Sequence, residues 1–388
     1  MTDTGSLIER VRERLAVERT PLRPGIVAEA IRAESGGLLG DTEVLAGMRI
    51  LQTELTGAGI LDPLLRGETT TDVLVTAPDA VWVDDGNGLR RSSIRFDDED
   101  AVRRLAQRLA LVAGRRLDDS QPWVDGQLSG LGADSVRLHA VLPPVAVGGT
   151  CISLRILRPA RQDLGALASG GAIAGPALEL LHRIIAGRLA FLICGGTGAG
   201  KTTLLAATLG AVAAHERIIC VEDAPELAPR HPHVVKLVAR GANIEGVGQV
   251  TVRDLVRQAL RMRPDRIVVG EVRGAEVVDL LTALNTGHDG GAGTVHANSA
   301  TEVPARLEAL AGLGGLDRAA LHSQLAAAVQ VVVQVDRDVR GKRRLAEIAV
   351  LRRGPDGWVQ ASTAWHADRG FGPGATMLSS HLAERGIR

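Results

Sequence analysis

Aromatic side chains are nearly missing from this sequence: its 388 residues include three Phe, four Trp and no Tyr. Ala, Leu and Val must therefore build the core, and stacking platforms for bases are scarce. Net charge is missing too, because 45 Lys and Arg cancel 45 Asp and Glu. That balance gives no support to a nucleic-acid partner, although a local basic patch remains compatible with it. Cysteines number only three, Cys151, Cys194 and Cys220. Their odd count and spacing argue against a disulfide framework, and Cys194 and Cys220, each after an apolar run, read as small buried hydrophobes in a reducing compartment. No stretch of 18 apolar residues occurs, and 325–335 is short and interrupted by Gln, so any membrane role must come through a partner. The charged start "MTDTGSLIERVRERLAVERT" has no apolar segment of the kind a signal peptide needs, and none is expected.

What is present fits a folded chain of two or three domains, with 45% apolar and 23% charged residues. Residues 1–55 read as a helical extension, with amphipathic stretches over 5–18 and 38–55. Residues 56–158 read as a compact α/β domain: a hairpin around Ala77-Pro78, a helix over 98–116, and strands on either side of Pro143-Pro144-Val145. Residues 159–175 read as a linker. From 176 to 355 apolar strands alternate with helices, which predicts a parallel sheet covered on both faces. Residues 356–388, rich in Gly, Ser and His with weak periodicity, read as a mobile tail.

The strongest motif is "GGTGAGKT", Gly195 to Thr202, which comes after the apolar strand "AFLIC" and opens a helix. It fits G-x-x-x-x-G-K-[ST]. In such a loop Gly195, Gly196, Thr197, Gly198, Ala199 and Gly200 curl backbone N–H groups around phosphate oxygens. The helix N-terminus adds donors and a favourable dipole. Lys201 would reach the β and γ phosphates of ATP, the hydroxyl of Thr202 would ligate Mg²⁺, and Thr203 continues the cradle.

Hydrolysis needs carboxylates to hold Mg²⁺ and polarise water. "IICVEDAPEL" offers Glu222, Asp223 and Glu226 at a strand end, and "RIVVGEV" offers Glu271 at another. Either cluster alone could be a solvated loop; two strand ends beside a phosphate loop point to a site. "NTGHDGGAGTVHANS" adds His288 and His296. His296 comes directly after a strand and can sense or donate to the γ phosphate; the alternative is a structural histidine bonded to backbone.

Four segments together resemble the secretion and pilus-assembly ATPases of type II and type IV secretion, tight-adherence pili and conjugation. "GGTGAGKTT" is similar to that family's Walker A, "VEDAPEL" to its acidic Asp box, "RMRPDRIVVGEVRG" to its Walker B, and "ALNTGHDGGAGTVHANS" to its His box. "HPHVVKLVARGANIEGVG" and "VAGRRLDDSQPWVDGQL" resemble the tight-adherence and conjugation branch. The resemblance implies a RecA-like P-loop ATPase domain of α/β class behind a smaller N-terminal α+β domain, ATP and Mg²⁺ as cofactors, and a homohexamer. It places the ring in the cytoplasm, peripheral at the inner face of the cell membrane, beside integral-membrane platform proteins. It implies roles for Arg137 and Arg155 at the phosphates, Lys201 and Thr202 as phosphate and metal ligands, and Glu222 and Glu271 as metal-linked acids. His296 is implied as the His-box histidine, with Arg240 and Arg273 as recurrent arginines. The sequence departs from the family at Gly291, where relatives commonly carry Ser, and lacks the tetracysteine metal module of other branches.

The leading expectation is an ATP-hydrolysing motor for a tight-adherence-type pilus or secretion apparatus. The alternative is a conjugal-transfer ATPase, which can drive its apparatus without gripping DNA, or a RecA-like nucleic-acid motor, which needs a cationic track or stacking aromatics; direct nucleic-acid binding is not the expectation for this chain. A nucleotide-gated scaffold is the third.

Overall fold

A computed structural model of the chain describes residues 10–11, 14, 24–37, 39–45, 47–48, 57–131, 135–158, 162–243 and 245–387. The helices expected over 5–18 and 38–55 fall partly outside them. The chain divides into two compact units, Met1–Arg158 and Pro159–Arg388.

In the first unit, helix α1 (Pro24–Glu34) buries Val27, Ala30 and Ile31 with Val11 and Val44 in a small core of its own. Strands β1 (Asp72–Ala77), β2 (Ala80–Asp84) and β3 (Leu89–Arg91) precede helix α2 (Glu99–Val112), and after it come β4 (Trp123–Leu128), β5 (Val136–Val141) and β6 (Cys151–Ile156). They form one antiparallel sheet in the order β3-β2-β1-β6-β5-β4. Asp98 caps α2 by accepting from the Ala101 N–H, which satisfies one of the helix's otherwise unpaired donors. The helix turns Val102, Leu105, Ala106 and Leu109 onto one sheet face. Alternation then decides the rest of β5: Val136, Leu138 and Ala140 point into that core, while Arg137 and His139 lie on the opposite face.

The second unit carries helices α3 (Leu164–Ser169) and α4 (Gly175–Ala186), then β7 (Phe191–Cys194), α5 (Lys201–Gly210), β8 (Ile218–Glu222) and β9 (Val234–Val238). Next come α6 (Val252–Ala259), β10 (Arg266–Val272), α7 (Glu276–Leu284), β11 (Ala292–Val295), α8 (Val303–Leu313) and α9 (Arg318–Ala328). Strands β12 (Val331–Arg337), β13 (Arg343–Arg353), β14 (Val359–His366) and β15 (Gly370–Phe371) lead to helix α10 (Ala375–Glu384). The sheet has nine strands in the order β15-β14-β13-β12-β7-β11-β10-β8-β9. Strands β12, β7, β11, β10, β8 and β9 run parallel, and β13 to β15 extend the sheet antiparallel. This is a mixed α/β architecture with helices on both faces, consistent with a RecA-like ATPase fold rather than the purely parallel sheet expected. Successive residues of β7 serve two cores: Phe191 and Ile193 pack with α4, α5 and α10, while Leu192 and Cys194 pack with α6 to α9.

Two further expectations are corrected. The segment after Pro355 is not a loose tail: β14 pairs along β13, and α10 buries Leu378 and Leu382 in the core. Its short apolar runs are completed by strand pairing, which periodicity within the segment does not reveal. Residues 162–175 are likewise built into the second unit. Leu164 and Ile173 are buried, and Ala172 O accepts from the Leu345 N–H at 2.8 Å. Cys194 and Cys220 are fully buried, and burial pushes both thiols up to about 12, so they are inert packing.

Candidate functional site

Strands β7, β11, β10 and β8 end at one edge of the sheet, and the loops leaving them gather there. In an open α/β sheet that edge is where ligands bind. Between β7 and α5 the chain turns through Gly195 (φ 152°), Gly198 (φ 70°) and Gly200 (φ 103°). A Cβ at Gly195 would lie 2.3 Å from Val335 O, so the close approach of β12 excludes any side chain there. Helix α5 opens without a side-chain cap, which leaves the donors of its first turn to a ligand.

Lys201 is buried under this loop. Its Nζ donates to Gly195 O and Gly196 O, each at 2.9 Å, and lies 3.4 Å from His296 Nδ1. Burial holds the Lys201 ammonium below its ordinary value, against the opposing pull of Glu271. His296 leaves the end of β11 and places Nε2 2.5 Å from Glu271 Oε1. Burial first, and Lys201 next, hold its imidazole below the usual histidine value, so the neutral ring prevails near pH 7. Nδ1 then accepts from Lys201 and Nε2–H faces Glu271. The other oxygen of Glu271 pairs with Arg273, whose second arm lies 3.9 Å from Asp223. Despite these neighbours, Glu271 Oε1 receives no hydrogen bond of regular geometry.

Of the three carboxylates of the "VEDAPEL" turn, Glu222 and Glu226 divide the work beside the loop. Glu222 is buried: Oε1 accepts from the N–H groups of Glu226 (3.0 Å) and Leu227 (2.8 Å), and Oε2 has no partner. Burial pushes its carboxyl up to about 7, against those two hydrogen bonds. Glu226 is the residue that faces the loop, with Oε2 3.4 Å from the Thr202 hydroxyl. Tandem acids look alike in sequence; the turn decides which one is presented. A Cβ on Gly270 would come 2.8 Å from Glu222 Cγ, so the glycine before Glu271 makes room for Glu222.

A sequence model described as "Type II/IV secretion system protein" matches residues 54–366. This chain belongs to that family. A putative conjugal transfer protein of Mycobacterium tuberculosis (strain H37Rv) is 75% identical over 350 residues, covering 90% of this chain and 99% of the relative. The type IV secretion system protein PtlH of Bordetella pertussis is 32% identical over 317 residues, covering 73% and 91%. Among solved structures, the pilus retraction motor PilT with bound ADP shares the fold at a TM-score of 0.53 and 24% identity, covering 74% of this chain and 80% of that one. The Legionella pneumophila ATPase DotB shares it at 0.52 and 19%, covering 74% and 78%. The resemblance read from the four motifs is borne out.

Within this type II/IV secretion family member, Lys201, Thr202, Glu271, Arg273 and His296 are brought together, and Glu226 joins them. Arg240 is used locally: its Nε donates to Gly248 O at 3.0 Å and closes its own loop. His288 is structural, with Nδ1–H donating to Ala283 O at 3.0 Å. The glycine at 291 also has a reason, since a Cβ there would lie 2.4 Å from Leu284 Cδ2 and 2.7 Å from Ile267 O. In the first unit Arg137 and Arg155 are directly opposed on β5 and β6. Arg137 makes a two-pronged contact with Asp125 (3.1 and 2.7 Å), and Arg155 Nε donates to Asp72 at 2.8 Å. Among the described residues no helix is long and apolar enough to cross a membrane.

Proposed function

We propose that the chain powers a tight-adherence-type pilus or secretion apparatus, working as a homohexamer at the inner face of the cell membrane beside integral-membrane platform proteins. By family it is an ATP-hydrolysing secretion-system enzyme that binds nucleotide; the assignment of parts is ours. The observation that carries it is the junction of Lys201, His296 and Glu271 beneath a glycine loop. Besides His296, Lys201 holds only neutral carbonyls of its own loop, contacts that anionic phosphate oxygens replace at a gain because both partners are then charged. The ATP phosphates fit the uncapped turn from Gly195 to Thr203, and His296 reports γ-phosphate occupancy to Glu271.

The donor set suits Mg²⁺. The Thr202 hydroxyl and Glu226 offer oxygens, and among the described residues no group of three His, Cys, Asp or Glu could hold an ion alone. Mg²⁺ keeps most of its waters and needs few protein ligands. When bound it neutralises charge on the phosphates. Glu226 and Glu271 are then the acids placed to order the attacking water, and Glu222 positions Glu226 by accepting from its N–H. Arg137 and Arg155 complete the proposal as forks for phosphate oxygens during turnover. Arg273 steers Glu271.

Phosphate release by the purified chain tests this. Glu226→Gln should lower kcat by about 10²-fold or more while Mg-ADP still binds. Full turnover in that variant would overturn the assignment. The names of the mycobacterial relative and of a probable conjugal transfer protein TrbB favour a second reading, an ATPase serving conjugation. Cytoplasmic segments of a platform protein should raise turnover on the first reading; salt-sensitive stimulation by single-stranded DNA would favour the second.

A further inference from the structure

Two arginines outside every motif meet at the phosphate loop. Arg343 Nε donates to Gly198 O at 2.9 Å and Arg337 Nη2 donates to the same oxygen at 3.3 Å. Arg337 also reaches Gly341 O at 3.0 Å across its own hairpin. Both are exposed, and among the described residues neither forms an ion pair. The adjacent Arg344, by contrast, holds Asp336 and Asp368. Two like charges sharing one neutral acceptor are a poor arrangement by themselves and a good one for an anion. Burial, and then Arg337, hold Arg343 below the usual arginine value, as crowding of like charge requires.

Beside this pair lies a cavity of ≈ 140 Å³, lined mostly by apolar side chains including Leu167, Ile173, Leu204, Val335 and Leu345. Ala199, Gly200 and Thr203 of the phosphate loop line it too, with Gln162, Arg343 and Arg344 as its other polar groups. Lys201 and Thr202 serve the terminal phosphates of a nucleotide, so its nucleoside must leave the loop on another side. A concave, mostly apolar recess with a few polar groups is what a planar base and ribose need.

We propose that the β12–β13 hairpin and the 162–173 segment form the nucleoside end of the site, with the base in this recess and Arg343, assisted by Arg337, on the inner phosphates. This rests on the phosphate reading above and extends it to residues no motif marks. Because the inner phosphates are common to ATP and ADP, Arg343 contributes to binding both equally and little to kcat.

Calorimetric titration of the full chain with Mg-ADP and with inorganic tripolyphosphate separates the parts. Arg343→Gln should weaken both ligands about tenfold or more, with Arg343→Lys recovering part of the loss. Ala172→Trp, which fills the recess, should weaken Mg-ADP about tenfold or more and leave tripolyphosphate within about twofold. Photolabelling of the unmodified chain with 8-azido-ADP avoids any folding defect in a variant: the label should fall on peptides from 162–173 or 335–345. Label found elsewhere, or equal loss of both ligands in Ala172→Trp with unchanged melting, overturns the inference. A wild-type chain that binds neither ligand overturns the phosphate reading with it.

Discussion

The two edges of the parallel strands hold charged clusters of opposite character. At the amino edge Arg266, which is 1% exposed, makes a two-pronged contact with Glu216 at 2.9 and 3.0 Å. It also donates to Ile185 O and Gly290 O. Arg188 adds a second cation to Glu216 at 2.8 Å. Burial pushes the Glu216 carboxyl up, but the Arg266 hydrogen bonds and the charges of Arg266 and Arg188 together hold the group below its ordinary value. Each nitrogen of the Arg266 guanidinium has an acceptor. At the carboxyl edge Glu222 Oε2 is left short, and Lys201 rests on carbonyls and His296. A closed network staples elements together; an open one is where a ligand is wanted. The segment 288–296 joins the two, with Gly290 on Arg266 and His296 on Glu271.

Breaking the closed cluster should cost the most stability. Arg266→Ala leaves Glu216 buried and half-paired, and urea unfolding should show a loss of about 3–5 kcal/mol. Lys201→Ala at the open edge should instead lower ATP turnover by about 10²–10³-fold while the urea midpoint barely moves. A variant that loses activity and stability together would erase the distinction between the edges.

Glu222 sharpens the contrast through pH. Its carboxyl is raised from 4.5 to about 7 in the folded chain. Between those values the native state holds a proton that the unfolded state has lost, so stability falls as pH rises through that window. Glu222→Gln removes the effect. Its stability relative to wild type should climb by on the order of 2–3 kcal/mol from pH 4.5 to pH 7 and then level off. Parallel pH profiles for the two proteins would mean that Glu222 stays ionised.

The smallest effect belongs to the surface. Asp289, beside the closed cluster, pairs with Arg385 at 2.6 Å, with both side chains more than a third exposed. Asp289→Ala should cost no more than about 0.5–1 kcal/mol and less at high salt. A larger loss in a thermal melt would show that the C-terminal helix hangs on this pair.

Much of the second unit is legible in the sequence because its central strands are buried on both faces. The runs FLIC at β7, IICV at β8 and IVV at β10 are apolar stretches that lead into Gly or Glu at the functional edge, and AGTV at β11 leads into His296. β9 escapes notice since its residues are half-buried at a sheet edge. The strands β13 and β14 escape because antiparallel partners, distant from the motifs, supply their cover. The loop, Lys201, Glu271 and His296 announce themselves by residue type and spacing. The choice between Glu222 and Glu226 depends on which way a turn faces, and Arg337 and Arg343 depend on where a hairpin lands. Neither has a local signature.

The position of β7 has a consequence for how the chain is made. Phe191 pairs with Ala292 on one side and Val331 on the other. The strand that launches the glycine loop therefore waits for two walls synthesised long after it, and Val335 of the later one shapes the turn at Gly195. A nascent or truncated polypeptide ending before that wall has the motif in full but no seat for a phosphate. On the proposed site, competence to take nucleotide thus arrives only when the second unit is nearly complete.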